Sequence, residues 1–376
     1  MKVAIVHYWL VGMRGGERVL EELCTLYPQA VIITHVVDRA AISDRLRRHE
    51  IRETAIARMP GARKHYQKYL PFMPRALEMV DMSEFDLVIS SESGPAKGII
   101  CRPDAVHVCY CHSPMRYIWD HFHIYRAGAG RLTRAAMPLI AHKLRIWDVT
   151  TAMRVDHFVA NSRFIAQRIL SYYRRDAEVI APPVAVEQFH LAPPEEVGSH
   201  YLMAGELVHY KRPDLAIEAF NRNGLPLRVI GGGERLEALR KIAGPNITFL
   251  GKVPFEQLKR EFARCKALIF PGEEDFGIVP VEVMAAGRPV IAYGRGGALD
   301  SVLPGVTGEL FAEQSVDSLI AAIARFEAGL AQDIDPPALR RHAEGFSAVL
   351  FRARMQAAID GAIAAKRECG KIRQVV

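Results

Sequence analysis

Glu274 and Glu282 stand eight positions apart in Phe270-Pro-Gly-Glu-Glu-Asp-Phe-Gly-Ile-Val-Pro-Val-Glu-Val-Met-Ala-Ala-Gly-Arg-Pro-Val-Ile-Ala292, where an apolar run passes into an acidic, glycine-bearing loop. Carboxylates accept hydrogen bonds and repel phosphate, so the groups they would recognise are hydroxyls. Gly277 permits close backbone approach, and the amides of Gly277, Ile278 and Val279 at the following helix start suit an anion. A ligand carrying both a sugar and a phosphate would satisfy both halves of the segment. Lys211, in Gly205-Glu-Leu-Val-His-Tyr-Lys-Arg-Pro-Asp214, is a compact cation able to meet diphosphate oxygens. The helix expected from Pro213 adds its dipole. His112 closes the apolar run Val106 to His112, and Gly15 and Gly16 form a tight turn after the first apolar run. A strand-end histidine or a glycine pair serves packing as readily as ligand binding. Ser162 likewise reads first as the N-cap of a helix from Arg163 to Tyr173.

These residues need strands to end beside them. Val3 to Val6, Ala30 to Thr34, Phe85 to Ser91, Val106 to His112 and Asp156 to Ala160 read as strands of the first half, with a loop at Gly12 to Glu17 and a helix over Arg18 to Leu26. The alternation restarts at Tyr201 to Ala204. Leu227 to Ile230 then runs into Gly231, Gly232 and Gly233, Ile247 leads to Val253, and Leu268 to Phe270 precedes a helix from Val279 to Ala286 that stops at Gly287. Strands alternating with helices build parallel sheets, and ligands gather beyond the strands' carboxyl ends. The first glycine turn matches neither the dinucleotide fingerprint nor a P-loop. A chain of 376 residues at 50% hydrophobic can bury two cores, with a single TIM barrel as the rival of the same size. The boundary is expected after the proline-stiffened stretch ending at Val184, giving domains 1–185 and 186–350 and a terminal helical segment 351–376.

The formal charge of +7 calls for an anionic partner. Nine Lys/Arg face two acids between Arg45 and Arg75, interleaved with Tyr66, Tyr69, Phe72 and Met73. That mixture suits an anionic membrane surface, and equally an ordinary solvated face over a core stripe. Nucleic acid finds no recognised binding module here. A second basic run, Arg126, Arg131, Arg134, Lys143 and Arg145, contains no acid. No apolar run reaches the roughly 20 residues needed to span a bilayer, and the start of the chain lacks the apolar length of a signal peptide. The expected place is the cytoplasm, at the inner face of the cytoplasmic membrane. Six cysteines (24, 101, 109, 111, 265 and 369) lack metal-ligand spacing and are expected as free thiols. His121 and His123 have no carboxylate or cysteine at zinc spacing either.

The segment Glu274 to Ala292 resembles the signature of the retaining, nucleotide-sugar-dependent glycosyltransferase family 4. The resemblance implies the GT-B architecture, two Rossmann-like domains facing across a cleft, with the terminal helix packed back on the first domain. It implies that Glu274 contacts the donor hexose and Glu282 the ribose. Lys211, with Gly15, Gly16, Gly277, Ile278 and Val279, would hold the diphosphate, Gly232 would line the rim of the donor site, and the backbone at Val253 would hold the base. The family usually carries arginine where this chain has Glu206, so Arg212 is the substitute second cation. His112-Ser-Pro-Met-Arg-Tyr-Ile-Trp-Asp120 and Tyr210-Lys-Arg-Pro-Asp214 resemble the mannosyltransferase branch of O-antigen and exopolysaccharide assembly. His112 would then lie beside the transferred hexose, with a contact from Ser162. The implied reaction moves mannose from GDP-mannose to a lipid-linked glycan, with no metal required. A UDP-sugar transferase, a nucleotide-sugar 2-epimerase and a non-catalytic binding subunit are the alternatives.

Overall fold

The structure, a computed structural model, describes the backbone of residues 1–373 and the side chains up to Glu368. Two compact units emerge, one of Met1–Ala181 with the chain from Phe351 onward, the other of Pro182–Leu350. Pro182 and Pro183 fall in the second unit because the next residue is tied there. Val184 donates its amide to the Phe346 carbonyl at 2.9 Å and pairs with Ser347.

The first unit is built on seven parallel strands: β1 (Val3–His7), β2 (Val31–Thr34), β3 (Ile51–Glu53), β4 (Leu87–Glu92), β5 (Val106–Cys111), β6 (His157–Ala160) and β7 (Glu178–Val179), in the order β3-β2-β1-β4-β5-β6-β7. Every residue of β1, β4 and β5 is buried, as expected of strands covered on both faces. Side chains alternate between two cores. Val3 and Ile5 point into one with Val106, Val108 and Tyr110, whereas Ala4 and Val6 join Phe85 and Ile99 in the other. Cys109 and Cys111 share a face, packed with Phe158 and Ile165. They are free thiols, as are Cys24, Cys101 and Cys265; the side chain of Cys369 lies outside the described residues.

The terminal helix, Ala348–Arg373, belongs to this first core. Phe351, Met355, Ala358, Ile359 and Ala362 recur at helical spacing and are buried with Leu20, Leu23 and Ile180. Arg352 pairs with Glu22, and Lys366 Nζ lies 2.7 Å from Asp156 Oδ1.

In the second unit six parallel strands, β8 (Tyr201–Ala204), β9 (Leu227–Ile230), β10 (Ile247–Gly251), β11 (Leu268–Phe270), β12 (Val290–Tyr293) and β13 (Gly308–Phe311), lie in the order β10-β9-β8-β11-β12-β13. Both sheets share one plan. The chain winds outward from the first strand through two more, then returns to the first strand's other side. This reversal opens a crevice at the carboxyl ends of β1 and β4 in one unit, and of β8 and β11 in the other.

Candidate active site

In the first unit the helix expected from Arg18 begins at Gly15, so the glycine pair forms its first turn rather than a preceding loop. Glu17, three residues into that turn, accepts the Arg14 amide at 2.8 Å and thereby fixes the earlier start. Gly16 lets the Tyr8 side chain lie close against the helix start. A Cβ there would stand 2.4 Å from the Tyr8 hydroxyl, whose ring packs on His7 with centroids 4.1 Å apart.

His7 opens a buried polar chain. Its Nδ1 lies 3.0 Å from Ser91 Oγ, the same hydroxyl lies 2.8 Å from His112 Nε2, and His7 Nε2 stands 3.8 Å from Glu17 Oε1. Ser91 has one hydrogen, so it donates to one ring and accepts from the other, which fixes complementary tautomers. Burial, helped by His7 and opposed by Glu17, pushes the His112 imidazole down to about 3. At neutral pH His112 is therefore an uncharged hydrogen-bonding group. Its amide bonds the Glu92 carbonyl at 2.7 Å, and its carbonyl accepts from Asn161 Nδ2 at 3.0 Å. Ser162 is next. Its hydroxyl caps the Arg163–Tyr173 helix by accepting the Ile165 amide at 3.1 Å and lies 3.2 Å from Asn161 Oδ1. Gly16, His112 and Ser162 are thus gathered at one rim. His7, Ser91 and Glu17 connect or neighbour them but escape sequence reasoning, although His7 and Ser91 each sit at a carboxyl-terminal strand position.

The second unit brings Lys211 and Glu274 together at its crevice. Lys211 Nζ lies 2.9 Å from Glu274 Oε1, and each side chain is 18% exposed. Burial opposes the lysine's charge, but Glu274, with Tyr210 and Glu206, outweighs it and holds Lys211 above its ordinary value. The lysine therefore stays a cation. Glu206 contributes to that field in place of the arginine usual there. Glycines let these loops approach. A Cβ at Gly272 would stand 2.7 Å from Lys211 Cα, and one at Gly297 2.2 Å from Phe276 Cα. Gly297 donates its amide to the Glu274 carbonyl at 2.8 Å, anchoring the acidic loop to the turn after β12.

The turn after β9 is stitched to the Lys211 loop in the same way. Gly205 N bonds Ile230 O at 3.0 Å, Leu207 N bonds Gly232 O at 2.8 Å, and Gly231 N bonds Gly251 O at 2.8 Å. Gly232 carries the Lys252 stem against it, so Gly232 and the Lys252–Val253 corner are neighbours. Gly277 takes a left-handed φ of 84° as N-cap of the Ile278–Ala285 helix. Glu282 is buried within that helix, whereas Ile278 and Val279 occupy its first turn, where amides have no partner within the helix.

Arg212, expected as the second cation, follows Lys211 directly and has partners of its own. Its backbone sits at φ 51°, a region that side-chain-bearing residues rarely visit. Its guanidinium bonds Asp214 at 3.1 and 3.3 Å and Gln314 Oε1 at 3.3 Å. In this arrangement Asp214 offsets the charge. Among the described residues no group of three or more His, Cys, Asp or Glu is placed to hold a metal ion.

Two Rossmann-like units, each with polar side chains at its strand-reversal point, have the GT-B glycosyltransferase fold. Residues 13–188 match the family model described as Glycosyltransferase Family 4, and residues 193–333 match that of Glycosyl transferases group 1. The chain belongs to this glycosyltransferase family. It is 28% identical over 290 residues to the D-inositol 3-phosphate glycosyltransferase of Mycobacterium marinum, covering 63% of this chain and 62% of that protein. It is 36% identical over 115 residues, 27% of this chain and 30% of the relative, to a Mycobacterium tuberculosis GDP-mannose-dependent alpha-(1-6)-phosphatidylinositol monomannoside mannosyltransferase. The match thus spans about three-fifths of the length of the first of these relatives. In fold it is similar to Anabaena HepE crystallised with UDP, at a TM-score of 0.72 and 15% identity over 96% of this chain and all of that one.

Proposed function

We propose that the protein transfers a hexose, mannose from GDP-mannose in the first instance, to a lipid-linked oligosaccharide or similar glycan, with retention at the anomeric carbon. The observation that carries this is the Lys211–Glu274 pair at the reversal point of the second sheet, beside the first turn of the Ile278–Ala285 helix. In this reading Glu274 accepts hydrogen bonds from the donor hexose and Glu282 from the ribose. Lys211, with the amides of Gly277, Ile278 and Val279, offsets charge growing on the departing diphosphate, the largest electrostatic demand of the step. The bond from the anomeric carbon to phosphate breaks, the acceptor hydroxyl oxygen bonds to that carbon, and its proton passes to the leaving diphosphate. Lys211 and these helix-start amides serve in place of a metal ion. Neutral His112 is a hydrogen-bonding group for the hexose, and the backbone at Val253 holds the base. The first unit, where the chain's basic residues concentrate, meets an anionic membrane surface at the inner face of the cytoplasmic membrane. Among the described residues no helix is long and apolar enough to cross a bilayer.

Mannose is favoured by the GDP-mannose-dependent relative and by the His112–Asp120 and Tyr210–Asp214 segments. A UDP-sugar donor is the second reading, favoured by the fold likeness to a chain crystallised with UDP-glucose. The test is incubation of the protein with GDP-mannose or UDP-glucose and a bacterial lipid extract, followed by mass spectrometry. One added hexose on a lipid-linked glycan with GDP-mannose supports the proposal. An increment with UDP-glucose alone moves the donor to the second reading, and release of free epimerised hexose without acceptor overturns transfer.

A further inference from the structure

The Arg131–Ala152 helix is apolar on two opposite faces. One face, with Ala141, Leu144 and Ala152, is buried against the unit. On the other, Leu132, Leu139 and Ile146 are 90%, 64% and 55% exposed. Their spacing of seven residues drifts only about 20° per step around the helix, so they form one stripe. A surface helix ordinarily turns polar residues outward, and three large aliphatic side chains in line depart from that.

Neighbouring elements expose apolar side chains as well. Ile124 and Tyr125 of the Phe122–Gly128 helix, packed against it, are exposed. Phe72 is exposed too, whereas Leu70 two residues earlier packs with Phe122, Ala141 and Leu144 on the helix's buried face. Cations border the stripe. From His121 to Trp147 there are five Lys/Arg and no Asp or Glu. Arg131 and Lys143 are exposed on the helix, while Arg126 and Arg134 knit its entry by bonding the carbonyls of Arg134, Ala127 and Ala129. The earlier part of the Arg45–Arg75 segment is different. Arg45, Arg47, Arg52 and Arg63 pair with Glu22, Asp44, Glu50, Glu84 and Glu53, and the Tyr66 ring packs on Trp9.

We infer that the outer face of the Arg131–Ala152 helix, with Ile124 and Tyr125 of the helix before it, is the surface that docks on an anionic lipid bilayer. Leu132, Leu139 and Ile146 enter the acyl boundary while Arg131 and Lys143 meet phosphate headgroups. A second copy is disfavoured as occupant, because a two-fold contact through this face sets like charges against one another with no carboxylate to offset them. Nucleic acid would use the cations but not the aliphatic stripe. The inference deepens the membrane reading above and rests on it for the class of partner. Its test is made without donor or acceptor, so its failure leaves the transfer reaction standing.

The measurement is co-sedimentation of the full chain with phosphatidylcholine vesicles and with vesicles rich in phosphatidylglycerol. Wild type is expected to bind the anionic vesicles, more weakly as salt rises. Leu139→Glu/Ile146→Glu is expected to lower the partition coefficient about tenfold or more, at two inserting aliphatic positions. Arg131→Gln/Lys143→Gln lowers it and flattens the salt dependence. Lys64→Gln/Lys68→Gln has the smaller effect. Circular dichroism verifies that each variant is folded. The inference is overturned if wild type ignores anionic vesicles, or if Leu139→Glu/Ile146→Glu binds them as wild type does. It is equally overturned if sedimentation equilibrium shows a dimer that this double variant dissolves, or if the face binds duplex DNA and not vesicles.

Discussion

Replacing Glu274 by Gln separates the two roles assigned to the second-unit rim, because it moves two affinities in opposite directions. In the resting structure Glu274 sits 2.9 Å from Lys211 Nζ with each side chain 18% exposed. At an effective dielectric of about 20 the attraction at that distance is about 6 kcal/mol, and desolvation and side-chain ordering reduce the net coupling to roughly 1–3 kcal/mol. A nucleoside diphosphate must draw Lys211 away from this carboxylate. Glutamine keeps the shape and removes the competing charge. Binding of GDP is therefore expected to tighten about three- to tenfold, or about 0.7–1.4 kcal/mol. Turnover of the nucleotide sugar is expected to fall about 100-fold, because an amide is a poorer acceptor for the hexose hydroxyl and part of transition-state positioning goes with it. Calorimetry with GDP and a donor-consumption assay on the same preparation read both numbers. Equal weakening of GDP and of turnover would refute the reasoning, since Glu274 would then be a support for the loop and not a partner shared between lysine and sugar.

Other expectations follow from single contacts. Gly231→Ala places a Cβ 1.8 Å from the Gly205 carbonyl oxygen at a residue whose φ is 133°, so the second unit should lose about 3 kcal/mol, or roughly 6–12 °C in thermal midpoint. An unchanged calorimetric melt would contradict the stitching of the two loops. Burial pushes His35 down to about 3 and His107 to about 4, so both are neutral in the folded chain while the unfolded chain protonates them near 6.5. Folded values below unfolded ones mean stability is full above 6.5 and falls on acidification, by about 1.4 kcal/mol per pH unit for each histidine. His107→Gln should flatten urea-denaturation stability against pH between 6.5 and 4 by about one proton, and an unaltered slope would remove His107 from the account. Lys211→Gln should lower kcat/KM about 100- to 1000-fold. A loss confined to KM would assign the lysine to ground-state binding alone.

Much of the fold was legible because both sheets are parallel and covered on two faces. Their strands read as short apolar runs, the boundaries of β8 and β9 coincide with Tyr201–Ala204 and Leu227–Ile230 as expected from the chain, and β11 ends at Phe270 as expected. The site was legible in part, since Lys211 and Glu274 are separated by 63 positions and only strand order brings their loops side by side. Ser162 fell out of its capping pattern. The partner of Arg212 was not legible, because sequence counts a charge without showing what accepts it. Asp214, two positions on, accepts the guanidinium, and the left-handed backbone at Arg212 has no signal in residue type. The His7–Ser91–His112 chain was invisible for a related reason. It joins the carboxyl ends of β1, β4 and β5, whose pairing periodicity does not reveal. Arg45 and Arg52 looked like part of a patch until the fold supplied Glu22 and Glu84 from other segments.

The most direct test of the nucleotide-sugar site is calorimetric titration of wild type and Glu282→Ala with GDP, GDP-mannose, UDP and UDP-glucose. The account predicts that wild type binds GDP and GDP-mannose and that Glu282→Ala, stripped of the carboxylate assigned to the ribose, loses about 2 kcal/mol or more of that binding. Binding of neither nucleotide pair by folded wild type, or equal GDP affinity in Glu282→Ala, would contradict it.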